Sequence, residues 1–197
     1  MIRIETTRLI LREWLPADLP YFALLNASPT VMKYFPNTLS HSESDALADR
    51  LQGQITANGY GFYAAERLED SQFIGFLGVN KSSPKLPFAP CADIGWRLDE
   101  PFWGQGYATE GAVAALADSF DRCGLENVVS MTPVLNKPSE NVMKKIGMTR
   151  APNTFEHPEV PPEHPLARHL LYTISRSTWA SLPEKYKANR ANDNGKD

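Results

Sequence analysis

A glycine-rich turn in the middle of the chain, PFWGQGYATEG, has the residue types and spacing that point most directly to chemistry. It lies between a predicted strand, Ala92–Leu98, and a predicted helix. Such a turn leaves main-chain N–H groups unpaired at a helix N-terminus, where the helix dipole favours a bound anion. Gly104 and Gly106 let the chain curl and approach a ligand, and Thr109 adds a hydroxyl. The turn is a candidate phosphate-binding site.

The spacing of this turn does not match two common nucleotide-binding motifs. The Lys-Ser/Thr pair of a P-loop is absent, and Gly104, Gly106 and Thr109 fill the GxGxxG pattern only in part. A dinucleotide-binding fold would also alternate strands with helices, whereas residues 62–67 and 73–79 form a predicted hairpin. On spacing alone, an ordinary structural turn is an equal alternative.

The elements that must position this turn can be predicted from periodicity and capping residues. The best-signalled helix begins at Ser40, which forms a capping box with Glu43, and ends at Gly59. Other helices are predicted at residues 18–26, 112–120 and 138–146, and strands at 9–14, 62–67, 73–79, 92–98, 128–134 and 170–175. This order of strands and helices indicates the α+β class.

A long loop is predicted at residues 151–169, where Pro152, Pro158, Pro161, Pro162 and Pro165 prevent regular structure. The loop either forms a lip of a substrate site or merely crosses one end of the sheet.

Histidines and acids in this loop invite a metal-site interpretation. The spacing of His157, His164 and His169 does not match a usual zinc pattern, so metal binding is disfavoured and lining of a substrate mouth is preferred. The loop acids could attract a cationic amine, although charged loop residues are usually only solvated; they are Glu156, Glu159 and Glu163.

Length and composition limit the class of protein. A chain of 197 residues with 42% apolar residues predicts one domain at residues 1–182, followed by a polar, flexible tail at 183–197. A net charge of −3 without a dense basic cluster argues against a nucleic-acid partner. The absence of an apolar leader or an 18-residue apolar run argues against export and membrane spanning. Cys91 and Cys123 form no disulfide framework, so we expect a reduced, cytoplasmic protein.

Two separated motifs resemble the GNAT superfamily of acyl-CoA-dependent N-acyltransferases. They are DIGWRLDEPFWGQGYATEG and, about 25 residues later, NKPSENVMKKIGM. Within that superfamily the chain is most similar to the branch containing the ribosomal-protein N-terminal alanine and serine acetyltransferases. The resemblance extends from about Arg8 to Ser175. It implies a GNAT-like fold: a mixed, mostly antiparallel sheet flanked by about four helices, in which a splayed strand pair forms the acyl-CoA cleft.

The resemblance also implies which residues bind the co-substrate, acetyl-CoA. The diphosphate of CoA is expected on the turn, at Gly104, Gln105, Gly106, Tyr107, Ala108 and Thr109. The pantetheine arm is expected along the preceding strand, at Trp96, Arg97 and Leu98. Further CoA contacts are carried over to Asn136, Ser139 and Met143.

The catalytic part of the resemblance has two departures. Trp103 stands where many members begin the turn with Gln or Arg, a substitution common in the similar branch. Met143 stands where many members carry a tyrosine that protonates the leaving thiolate. Ser139 or water is left as the proton donor, although a hydroxyl at a helix start also bonds its own backbone. The first candidate for the general base is Asp93, which could instead be a solvated residue at a strand end. The second candidate is Glu66.

The chemistry of amine acylation favours an acceptor of low basicity. The attacking amine must be neutral, which costs about 1.4 kcal/mol at pH 7 for an α-amino group and roughly 4.6 kcal/mol for a lysine. The oxyanion needs a main-chain N–H, which we expect from the strand residues Asp93 to Leu98. Trp96, Phe102 and Trp103 either shape the acceptor pocket or serve as core residues.

The sequence therefore predicts an N-acetyltransferase that moves an acetyl group from acetyl-CoA directly to a primary amine, either a small molecule or a protein N-terminus, as a monomer or homodimer. A non-catalytic acyl-CoA sensor is the alternative, because Met143 replaces the expected acid. Nucleotide binding at the same turn is a third hypothesis.

Overall fold

The strands of residues 2–186, the part of the chain that the computed structural model describes, form one mixed sheet. They are β1 (Arg3–Glu5), β2 (Leu9–Arg12), β3 (Phe62–Arg67), β4 (Gln72–Lys81), β5 (Ala92–Leu98), β6 (Asn127–Pro133), β7 (Thr149–Arg150), β8 (Phe155–Glu156) and β9 (Arg168–Ser175). The spatial order is β1-β2-β3-β4-β5-β6-β9-β7, with β8 also on β9. The pair β5 and β6 is parallel, and the other pairs of these strands are antiparallel.

Helices cover both faces of this sheet. They are α1 (Leu19–Ala27), α2 (His41–Asn58), α3 (Tyr107–Asp121), α4 (Lys137–Lys145) and α5 (Arg176–Ser181). On β4, the Phe76 ring packs 5.7 Å from Phe22 of α1, while a Cβ at Gly111 of α3 would overlap the adjacent Leu77. Successive strand residues point to opposite faces, so α1 and α3 lie on opposite sides of the sheet. We call these sides the α1 face and the α3 face.

The parallel strands β5 and β6 separate soon after they meet. They pair only at Ala92 with Val128 and at Asp93 with Val129. At the fork, the Ser130 hydroxyl donates a hydrogen bond of 2.9 Å to the Ile94 carbonyl, which ends the main-chain ladder. A V-shaped cleft therefore opens between the C-terminal halves of β5 and β6. This confirms the predicted mixed α+β fold with a splayed strand pair.

Local signals in the sequence predicted the main elements well. Ser40 and Glu43 form the expected capping box of α2, and Gly59 ends that helix with φ of 74°. The edge strand β1, the short strands β7 and β8, and α5 were not predicted. Residues 187–197 of the predicted flexible tail lie outside the described residues. Within residues 2–186 no helix has the length and apolar character needed to cross a membrane.

Candidate active site

The turn before α3 presents a row of unused main-chain donors. Gly104 and Gly106 have φ of 73° and 88°, in the left-handed region that glycine adopts without strain. Within residues 2–186, the first α3 hydrogen bond runs from Glu110 N–H to the Gly106 carbonyl, and no hydrogen bond uses the N–H groups of residues 104–109. The chain therefore curls so that consecutive N–H groups are free for an anion.

One ion pair, between Arg8 and the buried Glu110, holds this turn against the N-terminal strands together with hydrogen bonds. Glu110, 2% exposed, accepts hydrogen bonds from the Thr6 hydroxyl and the Arg8 main chain, both at 2.7 Å. The Arg8 guanidinium also donates to Glu110 at 2.7 Å and to the Gln105 carbonyl at 3.1 Å. The Arg8 guanidinium carbon lies 4.4 Å from the centre of the Tyr107 ring. These contacts fix the turn in one position while its N–H groups stay free.

Strand β5 offers a second set of free main-chain groups. The N–H of Asp99 donates to the Ile74 carbonyl at 2.9 Å, which fixes the phase of the β4–β5 ladder. In an antiparallel ladder, hydrogen-bonded and non-hydrogen-bonded residue pairs alternate. The main chain of Arg97 is therefore hydrogen-bonded to β4, whereas the main-chain groups of Trp96 and Leu98 point toward the cleft. The Leu98 carbonyl accepts the Trp103 indole at 2.7 Å. The N–H groups of Trp96 and Leu98 and the Trp96 carbonyl are left for a ligand.

Asp93 lies at the fork of the cleft, on the α1 face of β5. Burial raises the pKa of its carboxyl to about 6, and a hydrogen bond from Ser82 opposes that rise. Ser82 also lines a cavity of about 500 Å³ on the side of α2, together with Gln54 and Cys91. A carboxylate with a pKa near neutrality has the protonation behaviour of a general base.

Comparison with known proteins identifies the family. The model of the family described as "Acetyltransferase (GNAT) domain" matches residues 8–149. The chain belongs to the GNAT acetyltransferases. As such it is an acetyl-CoA-dependent N-acetyltransferase.

Curated relatives support this assignment. An uncharacterized N-acetyltransferase of Bacillus subtilis, YnaD, is 30% identical over 76% of this chain and 84% of its own length. The FsC-acetyl coenzyme A-N(2)-transacetylase of Aspergillus fumigatus is 26% identical over 80% of this chain and 69% of its own length.

A solved structure shares the GNAT fold at greater sequence distance. It is RimJ of Mycobacterium smegmatis in complex with CoA-disulfide, with a TM-score of 0.75 and 16% identity over 95% of this chain and 92% of that one. The predicted GNAT family and fold are thus confirmed.

The GNAT turn and strand fit the co-substrate in chemical type. The free N–H groups of residues 104–109 match a diphosphate, and the free N–H and C=O groups on β5 match the amides of a pantetheine arm. Of the three predicted strand contacts, Trp96 and Leu98 present main-chain groups to the cleft. Arg97 does not, because its main chain is bonded to β4.

Other predicted site residues of this GNAT domain are more dispersed. Asn136 caps α4 and accepts the Ser139 N–H at 3.2 Å. The Ser139 hydroxyl has no hydrogen bond within residues 2–186 and is therefore available as a donor. Met143 is 1% exposed and lies in the core, where it presents no surface to a ligand. Glu66 lies on β3, two strands from β5, and is held by Arg12 at 2.7 Å. The structure therefore does not bring Met143 or Glu66 to the cleft.

The proline-rich loop stands beside the cleft of the GNAT domain rather than in it. Its Phe155 ring lies 5.0 Å from Phe88 of the connection between β4 and β5, and Glu159 accepts the Ser83 hydroxyl at 3.2 Å. Two loops therefore form one rim on the side of β9. His157 and His169 are adjacent, with ring centroids 4.8 Å apart, and burial lowers the pKa of His169 to about 4. Within the described residues no group of three potential metal ligands occurs.

Sequence reasoning missed the contacts that hold the turn in place. Glu110 and Arg8 are about a hundred residues apart in sequence, so no local pattern links them. The acid in the first turn of α3 is a weak signal, because acids are common there for electrostatic reasons.

Proposed function

We propose that this protein acetylates a primary amine by direct attack on the thioester of acetyl-CoA, with CoA on the α3 side of the cleft and the acceptor on the α1 face. The observation that carries the proposal is the set of free main-chain donors at residues 104–109, which continues into the open edge of β5. We take residues 1–182 as the unit that performs this reaction.

The turn and strand β5 position the co-substrate. Acetyl-CoA supplies an acetyl group activated as a thioester. The free N–H groups from Gly104 to Thr109 hold the diphosphate, and the main chain of Trp96 and Leu98 holds the pantetheine arm. The Trp96 N–H is also the candidate donor toward the thioester oxygen, because the ladder with β6 has already ended at Val129. Asn136 and Ser139 complete the contacts on the α4 side.

Asp93 is the proposed general base. Its carboxyl lies at the fork, on the face opposite α3, and its pKa of about 6 keeps it ionised at neutral pH. It can therefore accept a proton from the acceptor nitrogen, either directly or through water. Because the thioether of Met143 has no proton to donate, the departing sulfur takes its proton from the free Ser139 hydroxyl or from water.

The acceptor is a primary amine. Of the curated relatives, the Aspergillus transacetylase is named for acetylation at an N(2) position, which supports a small-molecule amine. A protein N-terminus, which loses its proton more readily than a lysine side chain, is the other acceptor class.

A thiol-release assay tests this function. The protein is incubated with acetyl-CoA and separate panels of amino acids, peptides with free N-termini and polyamines, and free CoA thiol is measured. Acetyl transfer predicts thiol release that depends on one panel and falls with Asp93→Asn. Tight CoA binding without thiol release on any acceptor would instead support an acyl-CoA sensor. Stronger thermal protection by ATP than by CoA would support nucleotide binding.

A further inference from the structure

Arg97 projects from β5 into a pocket of aromatic and neutral groups on the α1 face. Its guanidinium carbon lies 4.0 Å from the centre of the Phe35 ring and 5.2 Å from that of Phe76. Its Nη1 donates to the side-chain oxygen of Asn26, whose own amide donates to the Ser44 hydroxyl at 2.9 Å. The surroundings are therefore rich in π-electron density and contain no counter-charge.

The guanidinium keeps one edge without a partner. Within residues 2–186, Arg97 has no carboxylate within the 4.0 Å of an ion pair, its Nε is buried without a hydrogen bond, and its Nη2 is neither bonded nor buried. Nε and Nη2 form the side of a guanidinium that binds a carboxylate with two parallel hydrogen bonds. Nη2 lies at the exposed end of this edge, whereas Nε is buried.

An unpaired cation in this position destabilises the fold. Burial lowers the pKa of Arg97 to about 10, so the side chain is still charged at neutral pH. Buried charges in proteins are normally paired, because desolvation without a partner is costly. A binding site whose ligand supplies the missing anion explains why an arginine is placed here.

The positions of Arg97 and Asp93 along β5 indicate which chemical groups the ligand carries. Arg97 and Asp93 lie on the same face of β5, four residues apart, so their Cα atoms are roughly 13 Å apart. By the parallel register, Arg97 is level with Pro133 of β6, which pairs with His169 of β9. Arg97 thus stands on one side of the mouth of the cleft and the histidine pair on the other.

We propose that Arg97 binds a carboxylate of the acceptor, so that the preferred substrates are small amines that also carry a carboxylate. This inference rests on the proposed acetyl transfer and specifies its acceptor class. The amine lies toward Asp93 and the carboxylate toward Arg97, which orients the nucleophile along the strand. Polycationic amines are disfavoured, because they would place a second positive charge against the guanidinium.

Matched acceptor pairs test this inference. Glycine, β-alanine and 4-aminobutyrate are each compared with the corresponding amide, and kcat/KM for thiol release is measured with the wild type and with Arg97→Gln, Arg97→Lys and Arg3→Gln. Each value is expressed per neutral amine, because an amide lowers the pKa of the nearby amine relative to a carboxylate. The wild type should prefer at least one carboxylate over its amide by about 10- to 100-fold. Arg97→Gln should reduce that ratio to below about threefold by slowing only the carboxylate, and Arg97→Lys should keep part of it.

Control measurements separate this role from others. Arg3→Gln removes a cation from the exposed edge strand β1 and should leave the ratio unchanged. CoA affinity, measured by calorimetry, should stay within about threefold in Arg97→Gln, which also shows that the variant is folded.

Three results would overturn the inference. The first is equal wild-type rates on every carboxylate and its amide. The second is a parallel loss of both rates in Arg97→Gln, and the third is a matching loss of CoA affinity. Thiol release from no acceptor at all would instead contradict the proposed function itself.

Discussion

Two arginines in this protein, Arg12 and Arg97, have opposite environments. Arg12 lies on β2, where its Nε donates to Glu66 at 2.7 Å and its two terminal nitrogens donate to Asp18 at 2.7 and 2.8 Å. The hydrogen bond to Asp18 is the main cause that raises the pKa of Arg12. Within the described residues, the side chain of Arg97 on β5 makes a single hydrogen bond, to a neutral amide. The charge of Arg12 is paired within the protein, whereas the charge of Arg97 is not.

The main chain shows the same contrast between the two regions. Strand β2 pairs with β3 along four consecutive residue pairs, whereas β5 pairs with β6 at only two. The ion pairs of Arg12 therefore lie in the continuously paired half of the sheet, which stabilises the fold. In the other half, N–H donors remain free for ligands on the open edge of β5, in the turn at residues 104–109 and on the Arg97 side chain. These free donors of β5, the turn and Arg97 border the cleft in which we propose that the two substrates meet.

The largest predicted effect comes from Arg12→Met. Two carboxylates would lose their counter-charge, and breaking such a pair costs about 3 to 5 kcal/mol. Urea unfolding followed by circular dichroism should show this loss as a lower free energy of unfolding. Calorimetry on the folded variant should show unchanged CoA affinity. A loss below about 1 kcal/mol would mean that the Arg12 network is not the stabilising site described here.

Asp93→Asn should lower kcat/KM by about 10² to 10³ while CoA affinity is kept. Attack requires that both the Asp93 carboxyl, with a pKa of about 6, and the acceptor amine are deprotonated. The wild-type rate therefore rises as the pH passes through the pKa of each group. Below pH 6, log kcat/KM of the wild type should therefore rise with a slope near two. In Asp93→Asn the slope should be near one, since only the amine titrates. A slope unchanged by the substitution would remove Asp93 from the base role.

Gly106→Ala should weaken CoA binding by about tenfold, because alanine is strained at φ of 88° and its Cβ lies 3.4 Å from the Arg8 guanidinium. Gly124→Ala is the matched control, since Gly124 has φ of 71° but lies at the far end of α3. Both variants should lose similar stability in thermal unfolding. Equal CoA affinity in the two variants would contradict a specific role for the turn.

Arg97→Met should have the smallest effect on stability, within about 1 kcal/mol of the wild type, because removal of the unpaired charge offsets the cost of leaving the buried Asn26 oxygen without a donor. The apolar side chain removes an unpaired charge from contact with Phe35 and Phe76 without leaving an acid behind. Thermal unfolding at pH 7 measures the change. A loss as large as that of Arg12→Met would show that Arg97 is a structural residue and would remove the contrast between the two arginines.

Much of this fold could be predicted because its signals are local. Ser40 and Glu43 mark the start of α2 within four residues, and Gly59 marks its end. The C-terminal helix α5 also carries a local signal that was not used: the Ser175 hydroxyl accepts the Thr178 N–H at 3.1 Å. Strands β7 and β8 have two residues each and exist only because β9 offers an edge, so periodicity had nothing to detect.

The candidate site was predictable only where the motif is contiguous. The glycines at 104 and 106 lie in one short stretch, so their positive φ could be anticipated from the sequence. Arg97 was predicted as a CoA contact, but the phase of the β4–β5 ladder decides where its main chain points. Its meeting with Asn26 and Phe35 joins residues that are more than sixty positions apart in sequence. The chain order contains no signal for such a contact.

Amide chemical shifts in a ¹⁵N-labelled sample, recorded while CoA is added, test the central account most directly. Pantetheine, which lacks the diphosphate, and ADP, which lacks the pantetheine arm, serve as partial ligands. We predict that CoA and ADP move the amides of residues 104–109, that CoA and pantetheine move those of Trp96 and Leu98, and that the amides around Arg12 stay unchanged. If none of the three ligands changes the amide chemical shifts of residues 104–109, the claim that these free donors hold the coenzyme is contradicted.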